Sequence, residues 1–116
     1  MKDNRRITVD LGADLSEFER VLFTRSIDNL MEYGILDNVY TGWSSLSPIK
    51  RAIDRGEWTF RIPHNELALI ADVLFVHSEV EGMAYPHLSN KLLGKVAQII
   101  CDTIGVPQHK LVESFV

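Results

Sequence analysis

The chain has 116 residues, of which 46% are hydrophobic and 24% are charged, and its formal net charge is −4. This length fits one domain, and the composition is that of a folded globular protein rather than a disordered one. The single cysteine, Cys101, excludes an internal disulfide framework, and an acidic chain binds nucleic acid poorly unless its basic residues cluster.

The start of the chain and its apolar stretches bear on where the protein resides. Residues 1–6 are polar, and the apolar core of a signal peptide does not follow them. The longest strongly apolar stretch, Leu67–Val76, contains Asp72 and has about half the length that a membrane-spanning helix requires. We therefore expect a cytoplasmic protein without membrane association, folded as one domain over 1–116 with a mobile tail at 1–5.

The first elements are a strand and a long helix. Apolar and polar residues alternate over Arg6–Leu11, which is the period-two pattern of a half-buried strand. Two N-cap signals follow at Asp14 and Ser16, so the sequence allows two starting points for the helix that differ by two residues. Gly34 is the predicted end of the helix. The apolar residues of this helix are Phe18, Val21, Leu22, Ile27, Leu30 and Met31.

The middle of the chain predicts a short helix and a second strand. Ser47, as N-cap, and Pro48 open the short helix, and Gly56 closes it. The alternation over Trp58–Ile62 predicts a strand that ends at Pro63.

Two longer helices follow. Asn65 is the predicted N-cap of a helix from Glu66 to about Glu79, whose apolar residues cover most of its circumference, so we expect this helix to be central and buried. Ser89 is the predicted N-cap of the last long helix, and Gly105 is its predicted end. Its apolar stripe is Leu92, Val96, Ile99 and Ile100. One short terminal turn follows, with Leu111, Val112 and Phe115 docking on the body.

These elements predict an α+β fold dominated by about four helices, with a small two-stranded sheet. The segment from Thr8 to Val21-Leu22-Phe23 is similar to the segment from Thr59 to Val73-Leu74-Phe75, with an offset of 51 residues at the strand and 52 at the helix. This similarity indicates either a doubled strand–turn–helix unit or chance. Two strands alone leave exposed edges, so we expect a homodimer or strand addition by a partner.

Histidines near the central helix are the candidates for metal or acid–base chemistry. His64, His77 and His87 have the carboxylates of Glu66 and Glu79 nearby. A zinc site requires three or four ligands that meet at one point, and the spacing of these residues in the sequence does not show that they meet. We therefore predict no metal and no cofactor. A small metal-binding protein or enzyme that uses these histidines is the alternative interpretation. The interpretation without a function is that they are surface or helix-end side chains.

No nucleophilic or nucleotide-binding motif occurs in the sequence. Cys101 lies near the predicted C-terminus of a helix, where the helix dipole raises the pKa of a thiol, so we predict a packing role. A Gly-x-Ser-x-Gly elbow, a Walker loop and a Gly-x-Gly-x-x-Gly turn are all absent. We predict no catalytic residue and favour a binding protein over an enzyme.

One basic concentration lies on the short helix and second strand. It consists of Lys50, Arg51, Arg55 and Arg61. Trp43 and Trp58 flank it, and basic residues with aromatics can bind single-stranded nucleic acid. Four positive charges in an acidic chain are a small footprint, so nucleic acid is an unlikely partner and a nucleic-acid-associated regulator is the third interpretation. The alternative is a solvated face with Trp58 in the core.

Aromatic residues in two connections indicate a protein-binding surface. Tyr40 and Trp43 lie beside Gly42 and paired serines, and Tyr85 lies in a second connection. Aromatics among small polar residues are typical of protein interfaces, although Trp43 could instead fill the core. We therefore predict a non-catalytic protein-binding module that uses Tyr40, Trp43 and Tyr85. Its acidity favours a basic partner, as for a small inhibitor or immunity protein that neutralises a toxin or nuclease.

Overall fold

Five helices and one two-stranded sheet make up the parts of the chain that the structure describes. The computed structural model describes residues 5–33, 46–79 and 86–115. In chain order the elements are β1 (Arg6–Asp10), α1 (Glu17–Tyr33), α2 (Ser47–Asp54), β2 (Thr59–Pro63), α3 (His64–Ser78), α4 (Pro86–Ile104), a 3₁₀ turn (Gln108–Lys110) and α5 (Leu111–Phe115). The predicted helix-dominated α+β fold is confirmed, and α5 is the predicted terminal turn.

Strands β1 and β2 pair antiparallel, with Val9 opposite Phe60. The N–H of His64 donates to the carbonyl of Arg5 at 2.9 Å, so the pairing reaches the last residue of the predicted tail. Alternate residues face the core, as the period-two pattern predicts. The buried residues of the sheet region are Val9, Leu11, Phe60 and Ile62.

The two strand–helix segments are connected differently. Residues 11–16 join β1 to α1, whereas β2 ends at Pro63 and α3 begins at the next residue, His64. The second segment therefore lacks the turn that a doubled strand–turn–helix unit contains. The prediction that Asn65 caps this helix is wrong, because Pro63 holds the N-cap position (φ −56°, ψ 145°) with no side-chain cap bond. Strand pairing satisfies the first N–H of α3 instead.

A capping box starts helix α1. The N–H of Ser16 donates to Glu19 Oε1 at 2.9 Å, and the N–H of Glu19 donates to Ser16 Oγ at 3.2 Å. Two N–H groups without helical partners are thereby satisfied by reciprocal bonds. Of the two predicted caps, the structure therefore selects Ser16 over Asp14.

Two other predicted helix starts are wrong. Leu46 holds the N-cap position of α2 without a side-chain bond, so Ser47 is helical rather than capping. Helix α4 begins at Pro86, three residues before the predicted cap at Ser89. Proline fixes φ near the helical value and lacks the N–H that the first turn cannot satisfy, so it starts a helix readily.

The core lies between α3, α4 and their neighbours. Helix α3 packs mainly against α4 and α5, and the prediction that it is central and buried is confirmed. Its buried residues are Leu67, Ala68, Ile70, Ala71, Val73, Leu74 and His77. The α4 stripe is also confirmed, with Leu92, Val96 and Ile100 buried and Ile99 half-buried.

Three apolar side chains face solvent against expectation. Phe18 and Val21 on α1 are 65% and 50% exposed, and Val112 on α5 is 47% exposed rather than docked. Leu111, the residue before Val112, is fully buried. Of these two residues, only Leu111 therefore docks α5 on the core. Within the described ranges, no helix combines the length and the apolar character needed to cross a membrane.

Candidate functional site

The predicted partner-binding residues Tyr40, Trp43 and Tyr85 lie outside the described residues. Their role in binding therefore stays a prediction. The same holds for the side chain of His87, whose backbone belongs to the first turn of α4.

The candidate metal ligands His64 and His77 occupy opposite ends of α3. They are the first and fourteenth residues of this helix, so the rise per residue places them about 20 Å apart along its axis. This separation prevents both from binding one ion. Among the described residues, no group of three or more His, Cys, Asp or Glu side chains could hold a metal ion.

His77 is a core residue and not a surface one. Its side chain is 2% exposed, and its Nδ1 atom has no hydrogen-bond partner within the described part of the chain. Burial lowers the pKa of His77 because the charged imidazolium loses its hydration. The structure therefore places a neutral imidazole in the last turn of α3, so His77 is the predicted helix-end side chain but not a surface one.

Cys101 packs in the core between the long helices. It is 2% exposed, which confirms the predicted packing role. Burial, aided by the negative charges of Asp102 and Asp72, raises the pKa of the Cys101 thiol to about 11. A thiol that stays protonated at neutral pH is a poor nucleophile. Burial also raises the pKa of Asp72 on α3.

The basic concentration divides into a structural lysine and three arginines. Lys50 Nζ lies 2.7 Å from Asp28 Oδ1 and also contacts Asp54, so it ties α2 to α1. Hydrogen bonds to Asp28 and then to Asp54 raise the pKa of Lys50. Arg51, Arg55 and Arg61 instead line a cleft beside β2.

Trp58 packs against the core and does not offer a free stacking face. It is half-buried, its ring centroid lies 6.3 Å from that of Phe23, and the Arg20 guanidinium carbon lies 5.7 Å from the Trp58 centroid. Base stacking in single-stranded nucleic acid complexes needs an accessible aromatic face. The core interpretation of Trp58 thus fits the structure better than the nucleic-acid one.

An apolar groove runs between α1 and α4. Its volume is about 410 Å³. The side chains that line it are Phe18, Glu19, Leu22, Lys91, Leu92 and Lys95. Phe18, at 65% exposure, is its most exposed apolar side chain, while Leu22 and Leu92 are buried at 8% and 4%. The groove therefore has an apolar floor that continues into the core.

An ion pair joins the two walls of this groove. Lys95 Nζ on α4 lies 2.9 Å from Glu19 Oε2 on α1. The Ser16 N–H, followed by Lys95, holds the pKa of Glu19 below its ordinary value, so the carboxylate stays charged at neutral pH. The pair fixes one edge of the groove and neutralises it, which leaves the apolar floor as its main feature.

The sequence does not indicate that Phe18 is exposed, whereas the neighbours of Val21 on its helical face do indicate that Val21 is exposed. Val21 shares a helical face with Arg25 and Asp28, at spacings of four and seven residues, and both are exposed. Phe18 lies four residues before buried Leu22, on the same face, and so looks like a core residue.

No protein-family model matches this sequence, and no curated protein or solved structure matches it either. The candidate groove is therefore defined by its own residues and geometry.

Proposed function

We propose that this chain is a non-catalytic protein-binding module. Among the residues that the structure describes, its binding surface is the groove between α1 and α4. The observation that carries the proposal is the exposure of Phe18, a large apolar side chain that lines this groove. Leaving a large apolar side chain in water forfeits about 2 kcal/mol that burial would supply. A contiguous apolar site with a polar rim is a feature of interaction surfaces.

The partner that fits this surface is a protein that inserts an apolar side chain between the helices. The floor of Leu22 and Leu92 can receive that side chain, and Phe18 can cover it. Lys91 and the Glu19–Lys95 pair supply the polar rim. An amphipathic helix is the common occupant of a groove between two helices.

The net charge of −4 favours a basic protein as this partner. Long-range attraction between opposite charges speeds encounter and selects among partners. A small acidic inhibitor or immunity protein that blocks a basic toxin or nuclease is the specific form of the proposal. Tyr40, Trp43 and Tyr85 would enlarge its binding surface.

The test compares surface variants that change exposed apolar residues on different helices. Wild-type protein, a Phe18→Ser variant and a Val112→Ser control are immobilised and exposed to lysate of the organism that encodes the chain. All three should show the same circular dichroism, because exposed side chains contribute little to stability. We expect the wild type and the control to retain the same partner protein and the Phe18→Ser variant to lose it.

A second variant separates the groove from the predicted aromatic surface. If Tyr40→Ser/Trp43→Ser loses the partner while Phe18→Ser retains it, binding occurs at the aromatic residues and not at the groove. Equal recovery by every variant would show that neither surface binds. A wild type that retains no specific protein would contradict the proposed module itself.

A further inference from the structure

Three arginines converge on a cleft between α2 and β2. Arg51 comes from α2, Arg55 is the C-cap residue that directly follows this helix, and Arg61 comes from β2. The cleft has a volume of about 380 Å³, and Glu57 and Thr59 add polar groups to its lining. Arg51 and Arg55 are four residues apart and so lie on one face of the helix, where like charges repel. A cationic cluster of this kind within an acidic chain calls for a physical reason.

Capping of helix α2 does not supply that reason. Basic side chains near a helix C-terminus often bond to the last carbonyls. In α2 the carbonyls of Arg51, Ala52 and Ile53 already accept backbone N–H groups from residues 55–57, at 2.9–3.3 Å. Gly56 permits this closure through its φ of 77°. The arginine side chains are therefore not needed to close the helix.

Ion pairing within the described residues neutralises only part of the cluster. Arg55 Nη2 lies 3.2 Å from Glu57 Oε2, while neither Arg51 nor Arg61 forms an ion pair with a described residue. Three positive charges against one negative charge leave the cleft lining with an excess of two. A phosphate monoester carries about −1.5 to −2 charges at neutral pH, so its charge matches that excess.

We propose that this cleft binds a phosphate monoester group. The planar guanidinium groups donate paired hydrogen bonds to phosphate oxygens. The Thr59 hydroxyl donates to Asp10 Oδ1 at 3.4 Å, and the same oxygen accepts the Gly12 N–H at 2.9 Å, so the arginines are the donors of the site. The group can come from a phosphorylated side chain of a protein or from a small phosphorylated molecule.

Nucleic acid is the less suitable source of phosphate for this cleft. Its binding requires a basic track along several phosphodiesters, usually with stacking aromatics. The three arginines form one compact cluster, and Trp58 is packed against Phe23 and Arg20. The cleft shares no lining residue with the α1–α4 groove, so phosphate binding goes beyond the proposed function and either can fail alone.

The experiment measures binding of four probes by isothermal titration calorimetry. The probes are a phosphoserine peptide, the same peptide unphosphorylated, ribose 5-phosphate and a single-stranded oligonucleotide. We expect a phosphorylated probe to bind the wild type and the unphosphorylated peptide not to bind. Arg51→Gln and Arg61→Gln should each weaken binding by about tenfold, because each removes a charge-assisted hydrogen bond.

Two variants separate a specific site from general charge. Glu57→Gln should strengthen binding, because it removes the negative charge and releases Arg55. Arg25→Gln, an exposed position on α1, changes the net charge as Arg51→Gln does and should leave binding unchanged. Binding of the phosphopeptide alone assigns a phosphorylated protein, and equal binding of ribose 5-phosphate assigns a small ester, and both results support the phosphate site.

Three results would overturn the phosphate site. The first is failure of both phosphorylated probes to bind at millimolar concentration. The second is an equal loss of affinity in Arg25→Gln, which would show that binding reflects net charge alone. The third is tighter binding of the oligonucleotide that the Arg51→Gln and Arg61→Gln variants abolish, which would make the cleft a nucleic-acid site.

Discussion

Helices α1 and α3 contain the same tripeptide, Val-Leu-Phe, yet bury different parts of it. In α1, Val21 is 50% exposed, whereas Leu22 and Phe23 are buried. In α3, Val73 and Leu74 are fully buried and Phe75 is half-buried. Identical local sequence therefore leads to different burial, because the number of neighbouring elements decides how many faces of a helix are covered.

The positions of the two helices in the fold explain this difference. Helix α3 packs against α4, α5 and β2, so most of its circumference is covered. Helix α1 contacts α4 and α2, and none of the described residues covers the face along which Val21 and Arg25 lie. The central helix thus buries most of its apolar side chains, while α1 leaves Phe18 and Val21 exposed among the described residues.

The largest expected effect that tests this comparison is a cavity in α3. Leu74→Ala should lower the free energy of unfolding by about 3 kcal/mol, because it removes buried methyl groups from a packed core. Val21→Ala in α1 should change it by less than about 0.5 kcal/mol, since the side chain is half in water. Urea unfolding followed by circular dichroism measures both values. Similar losses in the two variants would contradict the assignment of α1 as peripheral.

A smaller, pH-dependent effect is expected at the buried end of α3. Burial holds the pKa of His77 below its ordinary value of 6.5, so the folded chain binds this proton less readily than the unfolded chain does. The contribution of the neutral His77 to the free energy of unfolding should therefore be complete above about pH 6.5. It should be lost as the pH falls through the lowered pKa of His77. His77→Leu should remove this part of the loss between pH 7.5 and 5.5.

The control for His77 is the exposed histidine of the 3₁₀ turn, His109. His109→Gln should retain the pH dependence of the wild type in the same unfolding experiments. If His77→Leu also retained it, the acid-sensitive group would lie elsewhere, and the neutral buried imidazole would lose its support.

Local patterns predicted the elements well because the forces that form them act between near neighbours. The alternation over β1 and the Ser16–Glu19 capping box are visible in a few residues. The start of α3 was missed because its first N–H bonds to Arg5, far away in the sequence. The order of elements was thus predictable, while boundaries set by tertiary contacts were not.

The candidate surfaces were predictable only in part for the same reason. Arg51, Arg55 and Arg61 are close in sequence, so their clustering was visible before the structure. Lys50, grouped with them, is instead held by Asp28 of α1. The exposure of Phe18 depends on how α4 docks beside α1, which no pattern within α1 encodes.

The smallest expected effect concerns α4, the helix that packs against both α1 and α3. At Gly94 an added Cβ would lie 3.8 Å from the Cβ of Ser78 on α3, which is ordinary van der Waals contact. The interface therefore does not require glycine there, and Gly94→Ala should raise the free energy of unfolding by about 0.5–1 kcal/mol through helix propensity.

The matched control is Gly56→Ala after α2, where φ is 77° and an L side chain is strained. That variant should lose stability by about 1 kcal/mol, although open space surrounds the added Cβ. Thermal unfolding of the two variants should therefore give shifts of opposite sign. A loss of stability in Gly94→Ala would contradict the 3.8 Å contact between the added Cβ and the Cβ of Ser78, and it would mean that close packing of α3 against α4 requires glycine at this position.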